Sequence, residues 1–534
     1  MRSLKLLITV AVVLPCVVVS ASKKLLSGGT IIAFDHETES LKVIRGGSIL
    51  IDGDRIEKVF ETANEANASV PIIDTSLETG DSASSVEVID CTNKIITPGF
   101  IDTHRHGWQT VFKTMGSNTT LPDYGWRYSA FVAPPLFTPD DVYISQLIGL
   151  YEAMAAGVTT TLDHAHHTWS SDAATAGLRA SIDSGMRVFW AYAFQPLYEN
   201  FPIQEQIAQW KELVSQVTGP VTEVAVAYDF WSDSPFVDKS TTDRVIDLLK
   251  TSQRRIRAKS DKLRYSEYKP LLTTHHVEGP WLFGNSPQDL NKAGVLSSSL
   301  PIVFSHSSFI DTASANLLRA TNKHISITPE SEMHYGHTHP TSHLILDQAS
   351  LGIDTHFTFS TDILTQARLY LQSVRYRLFQ KTLDSWKVTA NSPFSVNQAF
   401  LLATRNGGLA LGRKDLGVIA PDAKADIVVW DGRSPALLGW ADPIAAIILH
   451  ASVGDIEHVL VNGEFKKRDK KLVVEGYDET VDKFLEAAER IQDALRKLPL
   501  PSQEGPFLTG APYGLTETLD VLRGDGDGYG PQFV

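Results

Sequence analysis

Hydrophobic positions change their rhythm twice along the chain. Residues 24–98 carry short β-branched runs punctuated by turn residues, GTIIAFD, GGSILIDGDRIEKVF and VEVIDCTNKII, a spacing that predicts β-hairpins. The polar stretch from Ala63 to Ser85 interrupts them and predicts a surface insertion. From about 99 to 400 the texture is alternating strand and helix. Eight apolar runs stand out: IITPGFIDTH (95–104), VTTTLDH (158–164), RVFWAYAF (187–194), VTEVAVAYD (221–229), KPLLTTHH (269–276), PIVFSHS (301–307), HISITPE (324–330) and SLGIDTH (350–356). Helical spacing fills most gaps between them. One such helix has Thr138 as N-cap, Pro139 in the first turn and Gly157 as its stop. Eight strand–helix units predict an α/β fold, a (β/α)8 TIM barrel with catalytic residues at the C-terminal strand ends. Over 404–475 the runs ADIVVWD and IEHVLVNGEFKKRDKKLVV return to strand spacing. Strand-rich segments on both sides of a barrel predict a β-sandwich domain built from the N- and C-terminal segments together. Asp478 to Leu498 has the spacing of an amphipathic helix, and the Pro- and Gly-rich stretch after it predicts an irregular tail. The expected boundaries are a leader at 1–21, the sandwich at 22–98 and 404–475, the barrel at 99–403, and the C-terminal helix and tail at 476–534.

The first residues add a destination. Arg2 and Lys5 precede an apolar stretch from Leu6 to Val19, and Val19-Ser20-Ala21 is a small-residue cleavage site. That is a secretory signal-peptide pattern, with the mature chain expected to start near Ser22 and to be secreted. The run is short for a membrane span of about 20 residues, so no stable span is expected after cleavage. Cleavage would remove Cys16 and leave Cys91 alone, so export would not rest on an intrachain disulfide. Asn67-Ala68-Ser69 and Asn118-Thr119-Thr120 are N-glycosylation acceptor patterns in a secreted chain.

Composition narrows the partners. Of the 534 residues, 48 are Lys or Arg and 62 are Asp or Glu, a net charge of −14. No basic surplus exists to displace the counterions of a nucleic acid, so a small-molecule substrate is expected instead, with homo-oligomerisation left open.

The candidate chemistry lies where the predicted barrel strands end. Of 17 histidines, 14 fall between residues 104 and 356. In His104-Arg105-His106 the two imidazoles share one face of an extended strand and can chelate one cation. The fifth strand closes with His275-His276-Val277-Glu278, the sixth with Ser305-His306-Ser307 and the eighth with Gly352-Ile353-Asp354. Three imidazoles and one carboxylate suit Zn²⁺, with Fe²⁺ or Mn²⁺ as alternatives, and leave a position for water. His164, His166 and His167 follow the second strand; Glu330, Glu332, His334, His337 and His339 follow the seventh.

These strand ends in this order carry a family resemblance. PGFIDTHRHGWQT, GVTTTLDHAHHTW, THHVEGPW, SITPESEMHYGHTHP and SLGIDTH resemble the amidohydrolase superfamily, and its cytosine deaminase and atrazine chlorohydrolase-like branch in particular. LGVIAPDAKADIVVWD and VLVNGEFKKRDKKL resemble that family's exit from barrel to β-domain. The resemblance spans roughly 25–475. It implies one divalent metal ion per chain, held by His104, His106, His275 and Asp354. His275 matches the ligand because Glu278 follows at the family's i+3 spacing, with His276 as the competing choice. Asp362 competes with Asp354 but stands where the following helix should begin. Glu278 matches the proton-shuttling acid/base and His306 the histidine that orients water or stabilises an oxyanion. Asp354 would take the proton of the water. Trp108, Gln109, His167 and Glu330 are expected substrate contacts. The strand-4 region VTEVAVAYDFWSD lacks the lysine that bridges two metals in binuclear members, which favours a single ion. Gly279-Pro280-Trp281 directly after Glu278 departs from the family pattern at that strand end.

The expected activity is hydrolysis of a C–N bond in a non-peptide amide, cyclic amide or aminated heterocycle. The rival readings are decarboxylation or dehalogenation on the same constellation, and a secreted binding protein with a vestigial metal site. No GxSxG elbow is present to support a serine hydrolase.

Overall fold

The computed structural model describes residues 23–70, 86–217, 219–232, 237–252, 254–257, 265–338, 341–499 and 502–516. The expected leader and cleavage site, residues 71–85 of the polar insertion and His339 lie outside them. Two compact units divide the chain, Met1–Gly99 with Asp415–Val473, and Phe100–Lys414 with Val474–Val534.

The first unit is one continuous nine-stranded sheet drawn from both ends of the chain. Its seam is the antiparallel pairing of Ile95–Pro98 with Ile427–Trp430. A tight Asn462-Gly463 turn joins Ile456–Val461 to Glu464–Arg468, with φ of +55° and +80° at its two central residues. That backbone suits the right-handed twist of paired strands. The predicted surface insertion begins as a short helix, Ala63–Ser69, capped by Thr62. Ala66 and Val70 bury against Leu25, Leu50 and Phe60. Asn67 on this helix and Asn118 in the other unit are both exposed.

The second unit is a parallel barrel of eight strands. They are β1 (Phe100–Arg105), β2 (Val158–Ala165), β3 (Arg187–Ala193), β4 (Thr222–Ala227), β5 (Leu272–His276), β6 (Ile302–His306), β7 (His324–Ile327) and β8 (Ala349–Leu351). Neighbours pair in sequence order from β1 to β8. A bridge between Arg105 and Asp354, with Asp354 N donating to His104 O at 2.8 Å, ties β8 back to β1. The apolar run 95–104 is thus divided at Gly99 between two sheets. The helix after β1 runs from Pro139 to Ala155, with Thr138 and Asp141 forming a reciprocal cap as the sequence predicts.

The barrel unit extends to Lys414 rather than 403. Helix Arg405–Ala410 packs on β1 and β8, where Gly407 lies so close to Ile101 that a Cβ would come within 2.6 Å of it. The C-terminal helix, Tyr477–Arg496, also belongs to this unit. It buries Ala487, Ala488, Ile491 and Leu495 in a cluster with Trp108, Val111, Phe112 and Val142. Among the described residues no helix is long and apolar enough to cross a membrane.

Candidate metal centre and active site

Strand alternation places the key groups. On β1, Thr103 and Arg105 face away from His104 and His106. Arg105 is fully buried and donates to Asp102 at 2.7 Å and to Thr361, which explains a charged residue between the two histidines. At the ends of β6 and β8 the chain adopts left-handed backbone, with φ of +69° at His306 and +70° at Asp354. Non-glycine residues adopt this region sparingly, and it recurs at functional sites. His104, His275, His306 and Asp354 offer ligand atoms all within 4.8 Å of one another. His106 joins them, with Nε2 3.1 Å from Asp354 Oδ1 and 3.3 Å from His275 Nε2.

The fit to a cation follows from proton bookkeeping. His106 Nδ1 donates to the His164 carbonyl at 2.9 Å, and His275 Nδ1 donates to Asp229 Oδ2 at 2.8 Å. A neutral ring holding such a bond has spent its one proton, and its Nε2 is then a lone pair; here the two Nε2 atoms face each other and a carboxylate. His104 Nδ1 is engaged by Ser305 Oγ at 2.8 Å, and its Nε2 is buried without a hydrogen-bond partner. It lies 3.3 Å from the same Asp354 oxygen. Convergent lone pairs with no proton between them suit a divalent ion, and the hydrogen bonds behind them orient the rings for it. Burial, with its neighbouring imidazoles, holds His104 well below the usual histidine range. Asp354 is held well below the usual carboxylate range: burial opposes ionisation, but the adjoining His104 and His106 outweigh it. Ser331 also donates to its Oδ2.

His106, His275, His306 and Asp354 line a cavity of about 260 Å³. Asp229, at the end of β4, lines it and serves two strands: it also accepts from His275 N at 2.8 Å and Thr274 Oγ1 at 3.1 Å. His164 Nε2 lies 3.3 Å from Asp229, and burial, then His275, lowers its pKa to about 4.

Several expected site residues stand elsewhere. Glu278 is not among the residues lining the cavity; its Oε2 lies 3.4 Å from Nε2 of His276, the neighbour of the ligand. Gly279, at φ +63°, carries the chain away from the strand end immediately after it. His276 in turn is buried and bonded to Ser307, so His275 is the strand-5 residue in the cluster. Asp362 caps the helix Ile363–Leu383 through Thr365 N. Trp108 and Gln109 stand one layer back. Trp108 donates to His166 Nδ1 at 2.8 Å, and Gln109 bonds Tyr124 OH at 3.1 Å, while His166 and Tyr124 line the cavity. Glu330 is taken up by Ser360 and Gln366. His167 is buried beside Gly177, whose Cβ would fall 1.8 Å from its ring. His164, His166 and His337 do line the cavity. Asp229 was open to the same strand-end reasoning as the others, since it closes the apolar run VAVAY.

An eight-stranded parallel barrel with histidines and an aspartate converging at its C-terminal strand ends is an arrangement suited to a metal-dependent barrel enzyme. The amidohydrolase family model matches residues 95–233 and 287–466, and the chain belongs to that family. The chain is 25% identical over 451 residues to 5-methylthioadenosine/S-adenosylhomocysteine deaminase of Pyrococcus horikoshii, covering 82% of this chain and 94% of the relative. It is 24% identical over 437 residues to 5′-deoxyadenosine deaminase of Methanothermobacter thermautotrophicus, covering 81% and 91%. Among solved structures, a zinc-bearing adenosine deaminase from Xanthomonas campestris shares the fold at TM-score 0.70 and 15% identity, over 89% of this chain and 99% of that one. Zinc-bound atrazine chlorohydrolase from Arthrobacter aurescens does so at 0.67 and 19%, over 87% and 100%. The protein is an amidohydrolase-type hydrolase.

Proposed function

We propose that the protein is a hydrolytic deaminase of an aminated heterocycle, using one divalent ion, zinc in the first instance. The observation that carries this reading is the convergence of histidine lone pairs and Asp354 beside a cavity of about 260 Å³; the deaminase relatives support the choice of bond. His104, His106, His275 and Asp354 would hold the ion, which when bound lowers the pKa of water to about 7 and so supplies a nucleophile at neutral pH. Water adds to the ring carbon bearing the amine, a C–O bond forms, the C–N bond breaks, and ammonia leaves.

The chain's own groups move the protons. Asp354, kept ionised, takes the proton from water and returns it to the departing nitrogen. His306, fixed by Thr328 at 2.7 Å, would hydrogen-bond the oxygen as it adds. The His166 ring, 4.0 Å from that of His106 and in the cavity wall, offers a face for a planar substrate ring.

The test is a panel of aminated purines, pyrimidines and triazines with the metal-loaded protein, scored for ammonia and for incorporation of oxygen from labelled water. Ammonia release, abolished by chelation and restored by metal, is expected. Release of halide or carbon dioxide instead, with no ammonia from any member, would reject the deaminase reading.

A further inference from the structure

The cavity also has an apolar lining, and two of the residues that supply it lie beyond the matched family region, which ends at 466. Phe507 and Leu508, from the segment after the C-terminal helix, line the same cavity as His106 and Asp354. That segment is a built turn. Phe507 N donates to Ala511 O at 2.8 Å, Gly510 N to Phe507 O at 2.7 Å, and Pro506 bridges Pro512. Gly510 sits at φ +86°, a conformation that costs glycine nothing.

The turn is fastened to barrel loops. Thr509 Oγ1 donates to Trp281 O at 2.6 Å, and Gln503 Nε2 donates to Asp123 Oδ1 at 2.6 Å, on the short helix that supplies Tyr124 to the cavity. The Phe507 ring packs edge-on to Trp281 and Phe283, each at 5.7 Å. Phe507 is 4% exposed and Leu508 41% exposed, so the first anchors the turn while the second stays open to solvent as well as lining the cavity. Phe131, Phe194 and Phe230 line the same cavity. Its wall therefore combines the polar groups of the strand ends with a set of aromatic and aliphatic side chains, part of which the C-terminal turn supplies.

We infer that the turn Pro506–Pro512 is a specificity-determining wall, and that the substrate is an aminated heterocycle bearing an alkyl or aryl substituent that packs on Phe507 and Leu508. This rests on the deaminase reading for the reacting end only; the apolar lining is a statement about binding. It gives a use to the Gly279-Pro280-Trp281 departure: the loop that leads Glu278 away from the cavity presents the Trp281 carbonyl and ring that hold the turn.

The experiment compares adenine with 9-benzyladenine on the metal-loaded full chain, by calorimetric binding and by ammonia release. Wild type should bind the benzyl compound at least about tenfold more tightly, since burying a large apolar group is favourable. Leu508→Ala and Phe507→Ala should each remove most of that preference while adenine binding changes less than about threefold. Leu508 is partly exposed, so its variant keeps the test valid if Phe507→Ala fails to fold; melting temperature and metal content are read beside both. Equal loss for both compounds, no change for either, or a wild type without preference for the benzyl compound would each overturn the wall. A wild type that shows the binding preference but releases no ammonia keeps the wall and counts against the deaminase reading.

Discussion

Asp229→Asn tests how much of the metal centre is built behind its ligands. The carboxylate accepts from His275 Nδ1 at 2.8 Å and from the His275 backbone at 2.8 Å. It thereby fixes the ring's position and decides which nitrogen carries the proton. Asparagine is nearly the same size, but its amide can offer an N–H to Nδ1 and favour the tautomer with the proton on Nε2, where a ligand needs a lone pair. Losing a hydrogen bond to a charged acceptor costs about 1.5–3 kcal/mol, and such changes behind a metal ligand weaken binding on the order of 10- to 100-fold. The assay is chelator competition with Zn²⁺ at fixed pH, wild type against Asp229→Asn, with the melting temperatures of the metal-free proteins as control. Asp362→Ala is the comparison carboxylate: it should lose about 1 kcal/mol of helix capping and leave zinc affinity unchanged. Undiminished zinc affinity in Asp229→Asn would refute the argument that this residue sets the His275 tautomer.

Two further outcomes follow from the placement of acidic groups. Glu278→Gln should retain its metal and lose less than about tenfold in kcat, because the carboxylate faces His276 rather than the cavity. A loss near the upper range for general acid–base work, 10²–10⁴-fold, would mean that the loop at Gly279 turns it inward during turnover. Glu332, buried beside Thr328 and 3.9 Å from His306 Nδ1, has its pKa raised by burial from 4.5 to about 8. A carboxyl with a raised folded pKa contributes stability that is fully present below pH 4.5 and is lost as pH rises through about 8. Glu332→Gln should therefore flatten the fall in stability over that interval, by an amount on the order of a few kcal/mol, measured by denaturant unfolding of the two proteins at pH 5 and pH 8.5. Parallel pH profiles would contradict it.

The sequence reports the barrel and its ligands because both obey one-dimensional rules. Each strand is a short apolar run, and a group at its C-terminal end is carried to the barrel mouth wherever it stands in the chain. His104, His106, His275, His306 and Asp354 are legible for that reason, and so was Asp229, which an expectation about lysine at the same strand end obscured. Spacing does not report rotation about the last bond of a strand. Glu278 keeps the i+3 interval from His275, yet the left-handed Gly279 that follows directs its neighbourhood toward His276. Nor does adjacency to a ligand mean contact with substrate. Trp108 and Gln109 follow the metal pair in sequence but enter a 3₁₀ turn in which every residue is buried. They reach the cavity only through His166 and Tyr124, the residues they hydrogen-bond.

The apolar lining that the tail gives the cavity leaves no signal of its own in the sequence. A Pro- and Gly-rich tail has no periodicity, so nothing in it predicts a packed position. Yet Phe507 is nearly as buried as the barrel core, because Gly510 permits the tight reversal and two aromatic rings receive the side chain. Metal ligands come from strand ends that the fold fixes, and they change little in position when loops change. The groups that decide what enters come from loops and, here, from a segment beyond the matched region. The strand ends therefore constrain the chemistry more tightly than the substituent that is recognised. Metal-site geometry comes with the barrel strands, whereas substrate preference would come from Phe283, Phe507 and Leu508.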